Sequence, residues 1–386
     1  VLKAILNNQK LKLILNLSGF TLEVLNGDHR NIYKGEPEII ALLKKAISNG
    51  QIELTGTSWS HAVLPLLPED LIKKDIALHL YTLNRILDYK PKGFFPPELG
   101  ISPALPSILK DAGFLYCFFD RDFINLTKKG HLNTFNDFEP AQPVSFTKLT
   151  ARAKFRGLAT QLKHLKVMQT LLKKETVFHP ILWQGTDNAS ITGIGCDCTW
   201  MTYSLICLSR IAVLNEKKLI STISRLAPTY EGLFMPYSSD IEFYGYGGNT
   251  IKDPVPVSRL EVLFKHLCDN PAIKLTTPSE YLNENENNIS ETLYLKSGTW
   301  SSDKNFDLWE KEADNAQLNK YCYEAYTSYK KKYKLKNKGL PHGKELNILK
   351  DLLLSYNSDG RGWTPLPEHR LFCFNKAHAV KKVLEY

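Results

Sequence analysis

An α/β fold of parallel strands joined by crossover helices is what this 386-residue sequence predicts. Three observations point to it. From Leu11 to Asp120, short apolar runs alternate with stretches whose apolar residues recur at helical spacing. Gly, Ser and Pro stand at the ends of those runs, where a strand must stop. Carboxylates, a histidine and a serine come just past the runs, as they do at the C-terminal mouth of a barrel of parallel strands.

The first run, LKLILNL from Leu11 to Leu17, reads as a strand that stops at Ser18-Gly19. A helix over about Glu36 to Ser48 follows, with Ile39, Ile40, Leu43 and Ile47 on one stripe and Asn49-Gly50 as its stop. QIELTG is the second strand, and it delivers Thr55 to His61 onto a loop closed by Pro65 and Pro68. Glu69 and Asp70 suit a helix N-terminus, and Ile72, Ile76, Leu80, Leu83 and Leu87 continue that helix. The third strand is GFF. In GFFPPELG, Pro96 and Pro97 end it, because neither has an N–H for a central ladder, and so present Glu98. Ser102-Pro103 is read as the start of the next helix, to about Ala112, and Phe114 to Asp120 is the fourth strand.

After Asp120 the pattern lapses for some sixty residues, a length typical of a lid or binding insertion, with a helical stretch near Leu158 to Leu172. It resumes with a strand from Val177 to Trp183, a long helical region through Arg225, and a strand from Gly232 to Tyr237 that opens into SSDIEFYGYGG. A helix over about Val257 to Asp269 and a last strand, AIKLTT, complete this half. The polar ENENN stretch then places a domain boundary near residue 285, with a mainly helical unit over 286–386.

Composition narrows the classes. At 43% hydrophobic residues the chain can bury a large core and a second, smaller unit. No run approaches the roughly 18 apolar residues of a membrane span, and the first residues are too polar for a signal peptide, so a soluble, cytoplasmic chain without a membrane partner is expected. Seven scattered cysteines, with one C-x-C at Cys196 and Cys198, read as free thiols, a zinc site being the alternative. The net charge of +9 is uneven. Lys148, Arg152, Lys154, Arg156, Lys163, Lys166, Lys173 and Lys174 lie between Glu139 and Glu175 with no acid among them, and Lys330 to Lys338 form a second cluster. Either is a patch for an anionic partner or an ordinary solvated face, and neither carries a nucleic-acid module.

Ser18, His61, Glu98, Asp120 and Asp240 with Glu242 stand at the predicted strand ends. Two carboxylates from different strands facing one cleft are what glycosidic chemistry requires: one attacks the anomeric carbon and the other protonates the leaving oxygen. Tyr237, Phe243, Tyr244, Tyr246 and Trp300 would offer flat faces to sugar rings, or belong to the core. Each residue alone is ambiguous. Glu98 could cap a helix, His61 could be a core histidine, and Asp240 and Glu242 could hold a metal or form a surface turn.

These segments together resemble glycoside hydrolase family 57, the group of α-amylases, 4-α-glucanotransferases and branching enzymes. GFFPPELG is similar to its nucleophile segment. LFMPYSSDIEFYGYGG, Leu233 to Gly248, resembles the segment of the acid, with Asp240 on the acid, Glu242 on a companion Glu and Gly245 on a glycine. IELTGTSWSHAVLPLLP, with Trp59 and His61, resembles the segment that carries a histidine before a proline-rich turn. YLKSGTW, ending at Trp300, resembles the fifth segment, and LLSYNSDGRGWTPLPEHR a helical-domain stretch. The resemblance implies an incomplete (β/α)7 barrel over 1–285 followed by a helical domain. It implies a retaining hydrolase or transglycosylase acting on α-glucans, oligo- or polysaccharides, without metal or other cofactor. It makes Glu98 the nucleophile and Asp240 the acid/base, with Trp59, His61, Asp120, Glu242, Tyr244, Tyr246 and Trp300 as substrate contacts. An acid at Asp240 must keep a proton near neutral pH, which burial or the charge of Glu98 would favour.

The resemblance has departures. The family's first segment, a His-Gln-Pro on the first strand, is absent, so the barrel is expected to lack that strand; Tyr246 stands where many members have His, and Leu99 where some have Cys or an aromatic. Two other readings stay open. One is a carbohydrate-binding relic with an incomplete active site. The other is a metal-dependent polysaccharide deacetylase, whose Asp-Asp pair and His-x-x-x-His do not occur here.

Overall fold

The computed structural model describes residues 1–30, 33–129, 172–173, 177–210, 214–241, 255–285, 288–289, 291–301, 303–311, 314–333, 339–362 and 366–385. The basic residues from Lys148 to Lys166, Lys174, the helix expected near Leu158 and the site candidates Glu242, Tyr244 and Tyr246 lie outside them. Among the described residues no helix is long and apolar enough to cross a membrane.

The first half follows the predicted alternation. After a short helix, α1 (Leu2–Leu6), strand β1 (Leu13–Asn16) leads through α2 (Gly19–Asn26) and α3 (Pro37–Ser48) to β2 (Ile52–Thr55). The two strands pair in parallel from Leu13↔Ile52 to Asn16↔Thr55. Ser18 caps α2 by accepting the Thr21 N–H at 3.2 Å, and Pro37 opens α3, where a missing N–H costs nothing. Next come α4 (Glu69–Leu87), β3 (Gly93–Phe94), α5 (Leu105–Asp111), β4 (Tyr116–Asp120) and α6 (Asp122–Lys129). A single bridge, Gly56↔Phe94, joins β2 to β3. α5 begins at Leu105, two residues past the Ser102-Pro103 expected to open it, and has Pro106 in its first turn.

The second half departs from prediction, and prolines and glycines are the reason. VFHPILW splits at Pro180, which cannot donate to a ladder, into β5 (Val177–Phe178) and β6 (Ile181–Gln184) in different sheets. The expected helical region after Trp183 starts with β7 (Ser190–Cys196), antiparallel to β6 across a tight turn, before α7 (Cys198–Leu208) and α8 (Glu216–Leu226). SITGIGC has no apolar run or clean alternation to mark it, and its glycines let Phe119 and Ile181 close on Gly193. The strand expected from Gly232 is only β8 (Glu231–Gly232), paired with β5. After α9 (Val257–Asp269), AIKLTT is not a strand. It runs to Thr277, which caps α10 (Pro278–Glu284) in a capping box with Glu280.

The main sheet has the order β3-β4-β7-β6-β9, where β9 (Thr292–Leu293) lies past the expected boundary near residue 285. α11 (Asp307–Glu310), α12 (Asn315–Tyr333), α13 (Gly343–Ser355) and α14 (Pro367–Glu385) follow, mainly helical as predicted. One core runs through both parts: Trp59, Phe94, Phe119 and Trp183 belong to the same buried cluster as Leu318, Tyr329, Leu349 and Leu353. A polar tie reinforces it. The buried Glu23 carboxylate on α2 accepts from Lys350 on α13 at 2.8 Å, and His29 lies 3.0 Å from its other oxygen. The helical part is thus packed onto the strand ends, where it can contribute side chains to a site.

Candidate active site

The chain leaves β3 through Pro96 and Pro97 and then places Glu98 (φ 57°) and Leu99 (φ 46°) both in the left-handed region. Neither is a glycine, so this backbone costs about 1–2 kcal/mol per residue and must be held from outside. It is held. Ile101 pairs with Gly298 in an antiparallel bridge, and the Trp300 N–H donates to the Glu98 carbonyl at 3.3 Å.

The Glu98 carboxylate takes a donor on each oxygen. Trp300 Nε1 donates to Oε2 at 2.5 Å and Ser358 Oγ to Oε1 at 3.0 Å. Ser358 also lies 2.9 Å from His61 Nδ1, and its N–H donates to the His61 carbonyl at 3.0 Å. A hydroxyl has one proton. With that proton on the carboxylate, His61 must donate from Nδ1, which leaves Nε2 as its acceptor. His61 itself has φ 59°. Three segments therefore converge on Glu98: its own strand-end turn, the turn that carries Trp300, and the loop between α13 and α14 that carries Ser358.

The loop that carries His61 is fixed from behind by Asp75 on α4. This fully buried carboxylate accepts from Ser58 Oγ, from the Ser60 N–H at 3.1 Å and from Ser60 Oγ at 3.3 Å. Burial without a counter-charge pushes its pKa up to about 6, although the serine donors pull the other way. One turn along α4, burial pushes the His79 imidazole down to about 3.

Asp120, at the end of β4, is a different kind of group. It is 0% exposed; its Oδ2 accepts from Lys304 Nζ at 2.6 Å and its Oδ1 accepts the Asp122 N–H at 3.0 Å. Lys304 is also buried and lies 3.0 Å from Asp122, whose pKa is pushed up to about 7 by burial and by the charge of Asp120. The expected substrate contact is thus spoken for by an internal cation. Trp59 is a second correction, for it too is 0% exposed. A Cβ on Gly19 would come within 2.1 Å of its ring, and Phe20 packs edge-on at 5.8 Å, so the indole fills the core where no sugar reaches.

Asp240 is exposed. The segment before it is well placed: Leu233 is 8% exposed in a cluster with Leu99, Tyr116, Phe118 and Ile194, against which Phe95, Met235 and Trp300 also pack. The stretch that leads to Asp240 is therefore packed beside the surroundings of Glu98. The burial that would keep a proton on Asp240 is absent from this arrangement. Trp300, expected as a sugar platform, is half-buried and spends its N–H on Glu98.

Among the described residues one group has metal-binding character: His61, Glu98 and Asp359, each with a ligand atom within 4.8 Å of the others. Glu98 already carries two hydrogen bonds there. Cys196 and Cys198 have thiol pKa values raised by burial and by Asp120, which opposes the thiolates that zinc requires. Ser358, Lys304 and Asp75 were not legible as site residues. A signal existed for Asp75: it and His79 are polar residues on the buried side of a helix whose other contacts are Ile72, Ile76 and Leu83.

Residues 2–156 match the model of glycosyl hydrolase family 57. This stretch is similar to family 57 sequence. It includes Trp59, His61, Glu98 and Asp120 and stops short of Asp240 and Trp300. Solved structures of carbohydrate-active enzymes share the fold. A GH57 branching enzyme from Thermococcus kodakaraensis superposes with a TM-score of 0.64 at 13% identity, covering 99% of this chain and 84% of that one. For the 4-α-glucanotransferase of Thermococcus litoralis the TM-score is 0.60 at 18% identity, over 99% of this chain and 55% of that one. The α-amylase AmyC of Thermotoga maritima gives 0.60 at 12%, over 99% and 84%. The chain thus spans little more than half the length of the glucanotransferase. No curated protein matches the sequence.

Proposed function

We propose that this protein cleaves or transfers α-glucan chains through a covalent glycosyl-enzyme, with Glu98 as nucleophile and Asp240 as acid/base. The observation that carries the reading is the state of Glu98. Its carboxylate stands at a strand end, on a backbone conformation that two non-glycine residues adopt only under restraint, and neutral donors aim it, with no cation paired to it among the described residues. The family 57 match over this segment and the named activities of the similar structures, a branching enzyme, a glucanotransferase and an amylase, support α-glucan as the substrate class.

In this reading the Glu98 oxygen attacks C1 as the C1–O bond breaks, and Asp240 gives its proton to the leaving oxygen. Water or a sugar hydroxyl then attacks C1 from the vacated side as the C1–O bond to Glu98 breaks and frees its carboxylate, and the attacking oxygen gives its proton to Asp240, with net retention. Hydrolysis and transfer share this path and differ in the acceptor. Asp240 needs a raised proton affinity, which substrate would supply by covering it. His61 Nε2, facing outward from the Ser358 bond, suits a substrate hydroxyl.

The test is incubation with maltooligosaccharides and a glycogen-like polymer, using the wild type, Glu98→Ala and Asp240→Ala, with and without chelator. Products from the wild type alone, indifferent to chelator, are expected; losses in the variants should reach about 10³-fold or more. Turnover that survives Glu98→Ala sinks the reading. The His61, Glu98 and Asp359 cluster favours a second one, metal-assisted hydrolysis. Loss of activity with chelator would select it.

A further inference from the structure

We infer that Lys304 is a positioning residue: its buried ammonium, locked to the end of β4, holds Trp300 on the Glu98 carboxylate. The inference rests on the reading of Glu98 as nucleophile and adds a residue that no family motif quoted above contains. Lys304 is 4% exposed and spends its ammonium on three acceptors, Asp120 at 2.6 Å, Asp122 at 3.0 Å and the Trp300 carbonyl at 3.3 Å. Its backbone sits at φ 54°, a strained choice for a lysine and one that aims the side chain inward.

Between Trp300 and Lys304 the chain is closed on itself. The Lys304 N–H donates to the Ser301 carbonyl at 2.9 Å, while Thr299 Oγ1 and Ser301 Oγ donate to the Asn305 carbonyl at 3.0 and 2.9 Å. Gly298 lets this turn close, since a Cβ there would lie 1.9 Å from the Lys304 carbonyl and 2.6 Å from Phe123. The turn behaves as one piece. Its ammonium end is fixed by the buried Asp120 and the half-buried Asp122 carboxylates and its indole end donates to Glu98, so release of the first must move the second.

Electrostatics say how firmly it is fixed. Asp120 and Asp122 face each other in the interior, and Asp197 stands nearby with Arg121 at 3.7 Å. The ammonium offsets the repulsion between these two adjacent carboxylates. Without it they repel, and water must enter or the turn must open.

The chain has six tryptophans, so ¹⁵N-labelled protein gives up to six indole N–H signals, and Trp300→Phe identifies the one that belongs to Trp300. Lys304→Met is expected to shift that signal more than any other indole signal and to lower kcat about tenfold or more while KM changes less than about threefold. Lys304→Met combined with Trp300→Phe should be no slower than Trp300→Phe alone, because the lysine acts through the indole. An unmoved Trp300 signal, or rate losses that multiply, overturns the inference. If Lys304→Met does not fold, Lys304→Met with Asp120→Asn relieves the buried charge and the same two readouts decide. Activity that survives Glu98→Gln would remove the glycosidase reading, and the indole signal would still settle whether Lys304 holds Trp300.

Discussion

Glu98 follows β3 and Asp120 ends β4, and the two strands pair in parallel, Gly93 with Tyr116 and Phe94 with Cys117. Glu98 is half-buried and takes its hydrogen bonds from an indole and a hydroxyl, both neutral. Asp120 is fully buried and takes its main bond from an ammonium. A carboxylate neutralised by a cation in a dry interior is a poor nucleophile and a good anchor. One held by neutral donors near the surface keeps its charge for a ligand. In the proposed reading, neighbouring strand ends divide reaction from support, and the division is made by the partner, not by the position.

The largest effect should come from breaking the anchor. Asp120→Ala leaves the Lys304 ammonium in the interior without its closest partner, which is expected to cost about 3–5 kcal/mol of stability. Glu98→Ala removes a carboxylate from a strained turn and should cost about 1 kcal/mol or less while it abolishes turnover. Urea unfolding of the two variants beside the wild type checks this. Equal losses would erase the distinction between them.

Asp75 sharpens the comparison, because it is buried like Asp120 yet held by neutral donors like Glu98. Its pKa in the folded chain, about 6, lies above the ordinary 3.8, so the folded state binds the proton more tightly than the unfolded one. The stability this gives is complete below pH 3.8 and is lost as pH rises through 6. At about 1.4 kcal/mol per unit, the loss is about 3 kcal/mol. His79, held down at about 3, works the other way: its contribution is present above about pH 6.5 and fades as pH falls. The test is therefore a difference. Wild type minus Asp75→Asn, measured by urea unfolding from pH 4 to 7, should fall by about 3 kcal/mol. A flat difference would mean that the serine donors outweigh burial and that neutral donors alone can hold a buried charge.

How much of this could be read from the residues follows the same line. The parallel frame through Asp120, the helices after residue 307 and the strand-end turn at Glu98 were legible, because prolines, caps and apolar stripes act locally. The strand Ser190–Cys196 was not, since glycines removed the apolar pattern, and the AIKLTT strand was expected where the chain only approaches a helix cap. At the site, strand-end position was legible and partnership was not. Lys304 lies 184 residues from Asp120 and Ser358 lies 260 from Glu98, so no spacing rule joins them. Trp59 stood at the right place in a motif, yet Gly19, forty residues away in sequence, opens the space that takes its ring into the core.

The smallest effect belongs to the neutral side of the comparison. Ser358→Ala removes one hydroxyl that lies between Glu98 and His61, and both partners keep other contacts: Trp300 still donates to Glu98, and Nδ1 of His61 can turn to water. A single hydrogen bond of this kind is worth about 1 kcal/mol in stability, or about 1.5–3 where one partner is charged. An increment of about 1.4 kcal/mol in transition-state binding is about tenfold in kcat/KM, and the proposed role of Glu98 predicts it, because Ser358 links the helical part to that carboxylate. Unfolding and kinetics of Ser358→Ala, set beside Asp120→Ala, should then show the serine variant to be the more stable of the two and still slowed relative to the wild type. A serine variant as unstable as Asp120→Ala would show that the loop between α13 and α14, and not the buried ion pair, holds the two parts of the chain together.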